Sequence, residues 1–413
     1  LFGNGDKTLQ NKTWQNSGTI NLSDGRLYLY GYDPANTSSP YTATVTGPRL
    51  INQSGGVLNV ATRDEGSPIY GYSYASTGYA SVIGGARLTN DAGATLNWNA
   101  SYYGGSDYTQ IYNGSNFDFD NQGTVNVNQN LQIAYTSNSA ATLDGGTYAI
   151  ATGKALSLYG NGSSNRTLGS GSNISGSGSL RIDGAGLTIA NASGGGALPL
   201  SPGSFSLAAT GDVAISSGSL SLATGGPLTI NSLNLSGGTL HTSDDLTLPA
   251  LAWSGGTITG SGTLITPSGG TATLFGNGDK TLQNKTWQNS GTINLSDGRL
   301  YLYGYDPANT SSPYTATVTG PRLINQSGGV LNVATRDEGS PIYGYSYAST
   351  GYASVIGGAR LTNDAGATLN WNASYYGGSD YTQIYNGSNF DFDNQGTVNV
   401  NQNLQIAYTS NSA

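Results

Sequence analysis

Two runs of alternating tyrosine, YLYGY (28–32) and YGYSY (70–74), are the residues of this chain best suited to contact chemistry. Each sets three rings at i, i+2 and i+4: Tyr28, Tyr30 and Tyr32, then Tyr70, Tyr72 and Tyr74. On an extended strand that spacing puts the rings on one face, while Leu27 and Leu29 turn to the other. The pattern returns at Tyr301, Tyr303, Tyr305 and at Tyr343, Tyr345, Tyr347. Such rings, rigid and tipped with a hydroxyl, can stack on a sugar, contact a neighbouring rod, or pack under loops of their own chain.

Carboxylates are the second group. FDFDNQG (117–123) places Asp118 and Asp120 on one strand face, and Asp64–Glu65 and Asp244–Asp245 are adjacent pairs. Clustered acids can cleave glycosidic bonds, but the Lys, Arg and His that usually surround them are sparse here. Asp118 and Asp120 with nearby carbonyls form a weak calcium candidate, without the Asp-rich glycine nonapeptide of calcium-binding β-rolls. The solvated-turn reading of these acids is the plainer one. His241 is the only histidine, at an outward slot, and a lone imidazole makes neither a triad nor a zinc site. No catalytic residue, metal site or cofactor is expected.

What must position these residues is a short recurring element. NSGTINL (16–22) returns as GGVLNV (55–60), AGATLNW (92–98), QGTVNV (122–127) and GGTYAI (145–150). Weaker forms are GSLRI (178–182), GSFSL (203–207), GSLSL (218–222), GGTLHT (237–242) and GGTIT (255–259). A glycine at a bend, followed by period-2 alternation, marks a strand with one buried face. No such unit buries that face alone, so stacking is required, and the expected fold is all-β, a parallel β-helix forming one continuous rod. The expected core is fed two residues per coil, by pairs such as Ile20/Leu22, Leu58/Val60 and Leu96/Trp98. Asn21, Asn59, Asn97 and Asn126 are expected to stack as an outward amide ladder. Some ten coils at ~4.8 Å would give each period ~50 Å of length.

Composition agrees with a folded chain of unusual surface. Gly numbers 63 of 413, charged residues are 9 %, and Cys and Met are absent, yet there are 28 Tyr and 5 Trp. Absence of cysteine excludes a disulfide framework and a thiolate metal site. A net charge of −8 without a basic stripe argues against nucleic acid as a partner. No apolar run reaches the ~18 residues of a membrane span, and with no Met the chain is expected to be part of a larger protein.

Residues 1–140 and 274–413 are identical at an offset of 273. Residues 1–273 are therefore one full period and 274–413 begin the next, in a natural array or an engineered tandem; the missing linker favours the array. Within a period, 1–140 is Tyr-rich and carries the long excursions 30–49, 63–87 and 99–119, while 141–273 is plain. Tyrosine divides 13 to 2 between these halves.

The run WSGGTITGSGTLITPSGGTATLFGNGDKTLQNKTWQNSGTINLSDGRLYL (253–301), with NQSGGVLNV (52–60), NDAGATLNW (90–98) and DNQGTVNV (120–127), resembles the repeats of giant secreted bacterial adhesins of the filamentous haemagglutinin and autotransporter-passenger kind. The resemblance implies a right-handed parallel β-helix shaft outside the cell or on the bacterial surface. The expected role is structural: to span distance and present surface for adhesion or lateral association. Expected partners are neighbouring repeats, other copies of the fibre and surface glycans. Alternatives are a carbohydrate-binding surface on the Tyr rows, a polysaccharide-degrading β-helix enzyme, and an ice-binding solenoid. Irregular coil lengths speak against the last.

Overall fold

Glycine at the bend and alternation after it do produce strands. In the computed structural model Thr19–Leu22, Val57–Val60, Thr95–Trp98 and Thr124–Val127 each bury alternate residues. The structure describes residues 1–33, 47–63, 65–75, 86–102, 108–113, 117–134, 144–160, 165–169, 172–190, 206–207, 212–223, 225–306, 320–336, 338–348, 359–375, 381–386 and 390–407. Among these every regular element is a strand, every strand pairing is parallel, and the fold is a β-solenoid.

The chain forms two compact units. One holds Leu1–Asp212 with Gly218–Ser221, the other Val213–Ser217 with Leu222–Ala413. The division falls in the plain half of the period, away from the copy junction at 273/274.

In the first unit a turn of the solenoid has three strands, not one. Lys7–Gln10, Thr13–Asn16 and Thr19–Leu22 make the first turn. Leu27–Asp33, Arg49–Asn52 and Val57–Val60 lie in register on them. Stacking like on like gives three faces. The first runs through Ile69–Ala75, Thr109–Asn113, Leu131–Ala134 and Ala155–Tyr159. The second runs through Ala86–Asn90 and Phe117–Asn121. The third runs through Thr95–Trp98, Thr124–Val127, Thr147–Ile150 and Asn173–Gly176. The second unit repeats the three-strand turn, for instance Thr286–Asn289, Thr292–Leu295 and Leu300–Asp306.

This corrects the expectation of two core residues per coil, since three strands feed each turn. The NSGTINL-type motif marks the third face once per turn from Thr19–Leu22 to Thr147–Ile150, but several weaker copies lie on other faces. Arg181 lies on the first face opposite Ser157, and His241 and Thr259 oppose each other on a face separate from that of Asn294. Turn length also differs between halves: successive rungs are 38 residues apart at Asn21 and Asn59 but 18 apart at Asp245 and Thr263. The excursions are shorter than the sequence suggested, because Tyr30–Asp33, Ile69–Ala75, Thr109–Asn113 and the start of Phe117–Asn121 are strand.

The core is a set of columns running through consecutive turns. Leu22, Val60, Trp98, Val127 and Ile150 oppose one another in sequence, and all are buried. Each such side chain contributes ~1.5–3 kcal/mol by leaving water. The indole N–H of buried Trp98 donates to Thr109 Oγ1 at 2.8 Å, so the large ring carries no unmet donor.

Polar columns accompany the apolar ones. The expected outward ladder exists: Asn59 Nδ2 donates to Asn21 Oδ1 at 2.7 Å, Asn97 to Asn59 at 2.7 Å and Asn126 to Asn97 at 2.8 Å. A second ladder, buried, closes each turn between the second and third faces. Asn16, Asn52, Asn90 and Asn121 each end a strand, and each amide passes a hydrogen bond to the next at 2.7, 2.9 and 2.9 Å. The glycines that follow leave room for it, since a Cβ on Gly56 would press on the Asn16 carbonyl and Asn52 Oδ1.

The last side chain of this ladder, Asn121, donates to the Thr147 carbonyl, and a buried ion pair lies beside it. Asp144 Oδ1 accepts from the Asn121 backbone N–H at 2.9 Å, and Arg166 Nε and Nη2 donate to the two carboxylate oxygens at 2.5 and 2.9 Å. Tyr148 donates its hydroxyl to Asp144 at 2.9 Å, and the guanidinium lies over the Phe119 ring. Burial pushes the Asp144 carboxyl up against the pull of Arg166, and holds the Tyr148 hydroxyl well above its usual range.

Two predictions follow from these contacts. A Cβ at Gly71 would sit in the ring of Phe117, which fills the slot under the tyrosine strand, and Gly344 and Phe390 repeat the arrangement. Gly71→Ala should lower stability by ~1–3 kcal/mol, and Phe117→Leu in the same chain should recover part of it in thermal denaturation. Arg166→Leu, which strands a buried carboxylate, should cost ~3–5 kcal/mol, whereas Arg166→Leu with Asp144→Leu should cost markedly less. Equal losses in the single and double variants would contradict the pairing.

Candidate functional site

Parallel strands in register place equal positions above one another, so tyrosines at outward positions form a column. Leu27–Asp33 and Ile69–Ala75 align Tyr28 with Tyr70, Tyr30 with Tyr72 and Tyr32 with Tyr74, and Thr109–Asn113 adds Tyr112 above Tyr70. Between them Leu27, Leu29, Ile69 and Ile111 enter the core. The Tyr28 and Tyr70 ring centres are 5.2 Å apart and tilted, those of Tyr70 and Tyr112 5.0 Å apart and stacked. These distances follow the ~4.8 Å strand spacing. The repeat copy pairs Tyr301 with Tyr343 at 5.4 Å. There the strands also align Tyr303 with Tyr345 and Tyr305 with Tyr347. The side chains of Tyr32, Tyr72, Tyr74, Tyr305, Tyr345 and Tyr347 lie outside the described residues.

The column borders two open grooves that share Tyr70. One, of about 500 Å³, is lined by Asp6, Thr8, Tyr28, Tyr30 and Tyr70. The other, of about 470 Å³, is lined by Arg26, Tyr70, Tyr102, Tyr108, Gln110 and Tyr112 among others. Arg26 Nε meets Glu65 Oε2 at 2.6 Å, and its Nη1 donates to the Tyr28 hydroxyl at 3.2 Å. Hydrogen bonds from Glu65 and then Tyr28 hold the Arg26 guanidinium in its charged form. Arg299, Glu338 and Tyr301 repeat the set at 2.5 and 3.2 Å. The pair is partly exposed, so it holds the groove's shape more than it stabilises the fold.

Sequence reasoning missed Tyr102, Tyr108, Gln110 and Tyr112. The signal was present in TQIYN, where Gln110 and Tyr112 flank Ile111 at the same period of two, but it sat inside a stretch read as an excursion.

The carboxylates are dispersed. Asp118 and Asp120 share a strand, but Asp118 pairs with Arg87 at 3.2 Å and Asp120 accepts from Gln122 at 2.8 Å. Glu65 belongs to the Arg26 pair, and Asp64 lies outside the described residues. Asp244 accepts from the Gly225 amide at 2.9 Å and Asp245 from the Thr263 amide at 2.7 Å, so both tie turns of the solenoid together. His241 is exposed on strand Thr239–Thr242. Among the described residues no three His, Cys, Asp or Glu side chains converge as a metal site. No helix among them is long and apolar enough to cross a membrane.

Two lysines are enclosed at the start of the second copy. Lys280 Nζ donates to the carbonyls of Gly276 and Asp297 at 2.5 and 2.8 Å, and Lys285 Nζ to those of Gly262 and Thr242 at 2.6 and 3.2 Å. Burial lowers both, Lys285 to about 8. Neither nucleophile nor cofactor chemistry is needed to account for them: each ammonium gathers backbone carbonyls from two segments of the chain.

Scans of protein-family models, curated proteins and solved structures give no match to this chain.

The lowered lysine makes stability depend on pH. The unfolded chain binds a proton at Lys285 up to about its ordinary 10.5, the folded protein only up to about 8. Between these values the unfolded state binds more protons, so stability rises with pH. Lys280 acts in the same sense, and Tyr148, raised in the fold, opposes it above its ordinary 10.0. The unfolding midpoint should therefore climb from pH 7.5 to 9.5, and Lys285→Met should flatten much of that climb; an unchanged slope would contradict it.

Proposed function

We propose that this chain is a structural repeat region of a secreted bacterial fibre or adhesin shaft, which spans distance outside the cell and presents side-chain surface for adhesion or lateral association. The observation that carries the reading is the junction of the two copies. Thr273 ends one period and Leu274 begins the next, yet both lie in strand Thr271–Leu274. That strand pairs in register with Ala250–Trp253 before it and Thr292–Leu295 after it. A repeat whose joint is a hydrogen-bonded rung suits extension and has no place for a flexible hinge.

The architecture supports the same role in other ways. Identity over 140 residues gives both copies the same set of side chains to present, as a scaffold requires and a specialised centre does not. The reading is non-enzymatic: the carboxylates tie strands and turns together, and the aromatic grooves are open.

Rotary-shadowed electron microscopy tests the proposal. The chain should be an elongated particle, and a version lengthened by one 273-residue period should be longer by a constant step of roughly 50 Å, from some ten turns at ~4.8 Å. Round particles, or a length that does not scale with period number, would sink it.

A further inference from the structure

We infer that the paired grooves around Tyr70 bind a neutral, linear polysaccharide, with one such site in each copy of the repeat. The inference extends the shaft reading from spanning to holding, and its test does not depend on particle length.

Four observations converge on this ligand class. The walls are aromatic rings together with neutral polar groups, namely Tyr hydroxyls, Thr8 and Gln110. Apolar ring surface beside hydrogen-bonding tips matches the alternating C–H and O–H surface of a pyranose. Charge argues against an ionic ligand. The cation in the second groove, Arg26, is neutralised by Glu65 at 2.6 Å, and Asp6 with a chain net charge of −8 disfavours polyanions.

Shape then selects a chain over a single sugar. Both grooves are open, and Tyr70 borders the two, so a ligand lying across it reaches about 500 Å³ on one side and about 470 Å³ on the other. A monosaccharide would fill one side only. Finally, Tyr102 is 37 % exposed and its counterpart Tyr375 likewise, while Tyr381, the counterpart of Tyr108, is 51 % exposed. These rings keep part of their surface open to a ligand, and they are present in both copies. Two sites on one chain would add avidity on a polymer long enough to reach both.

The experiment is affinity electrophoresis of the full chain through gels containing soluble β-glucan, galactomannan or xylan, with polygalacturonate and hyaluronan as charged controls. Retardation by at least one neutral polymer and by neither charged one is expected. Tyr102→Ala with Tyr375→Ala, which removes exposed rings, should weaken it at least tenfold, as should Tyr70→Ala with Tyr343→Ala. Either change in one copy alone should give an intermediate loss. Circular dichroism and the unfolding midpoint of the Tyr102/Tyr375 variant should match the parent, which separates lost binding from lost fold. The inference is overturned by no retardation in any neutral gel, by preference for the charged polymers, or by binding that survives both double variants. It is equally overturned if sedimentation shows the same substitutions abolishing self-association of a chain that binds no saccharide.

Discussion

In-register parallel pairing is the constraint from which the rest of this protein follows. A strand laid parallel on its predecessor without slip brings each side chain above its counterpart, and any residue type that recurs in the turn becomes a column. Leucine, valine and tryptophan then form the interior, asparagine the two amide ladders, and tyrosine the outer wall. The same rule that packs the core thus decorates the surface. A one-residue slip would exchange inner and outer sets and put Asn59 where Leu58 belongs, so the register is held by burial itself.

A polar side chain inside such a narrow core is costly unless it finds a partner. The buried asparagines do so by donating both to the next amide and to a backbone carbonyl, as Asn52 does to Asn90 and Thr95. Beside the last of them, Asp144 and Arg166 are satisfied in a comparable way. The carboxylate accepts from the Asn121 backbone N–H, the guanidinium and the Tyr148 hydroxyl together, while the Asn121 side chain donates to the Thr147 carbonyl. Lysine serves a related purpose on the other side of the period. Lys280 and Lys285 each draw together backbone carbonyls from two segments of the chain.

Much of this was legible in the residues. Glycine followed by Thr-Ile-Asn-Leu or Val-Leu-Asn-Val announces a strand with one face inward, and stacked copies announce a solenoid. The outward ladder through Asn21, Asn59, Asn97 and Asn126 followed from the same spacing. The other two strands of each turn were harder to see. KTWQN (12–16) and PRLIN (48–52) each offer only two inward residues, too short a run for alternation to declare itself. The inner ladder was hidden for another reason: Asn16, Asn52, Asn90 and Asn121 look like turn residues, and only the third dimension shows them aligned. The grooves depend on which loops and strands meet across turns 38 residues apart, information no local window contains.

Placing the copy junction inside a strand has a further consequence. Removing or inserting 273 residues anywhere within the identical stretches rejoins the chain at an equivalent atom, so every rung keeps its neighbours and no new surface needs to be accommodated. Genetic recombination between the copies would therefore change the number of turns in whole periods while leaving the folding problem the same. Repeat number becomes a heritable variable uncoupled from local structure.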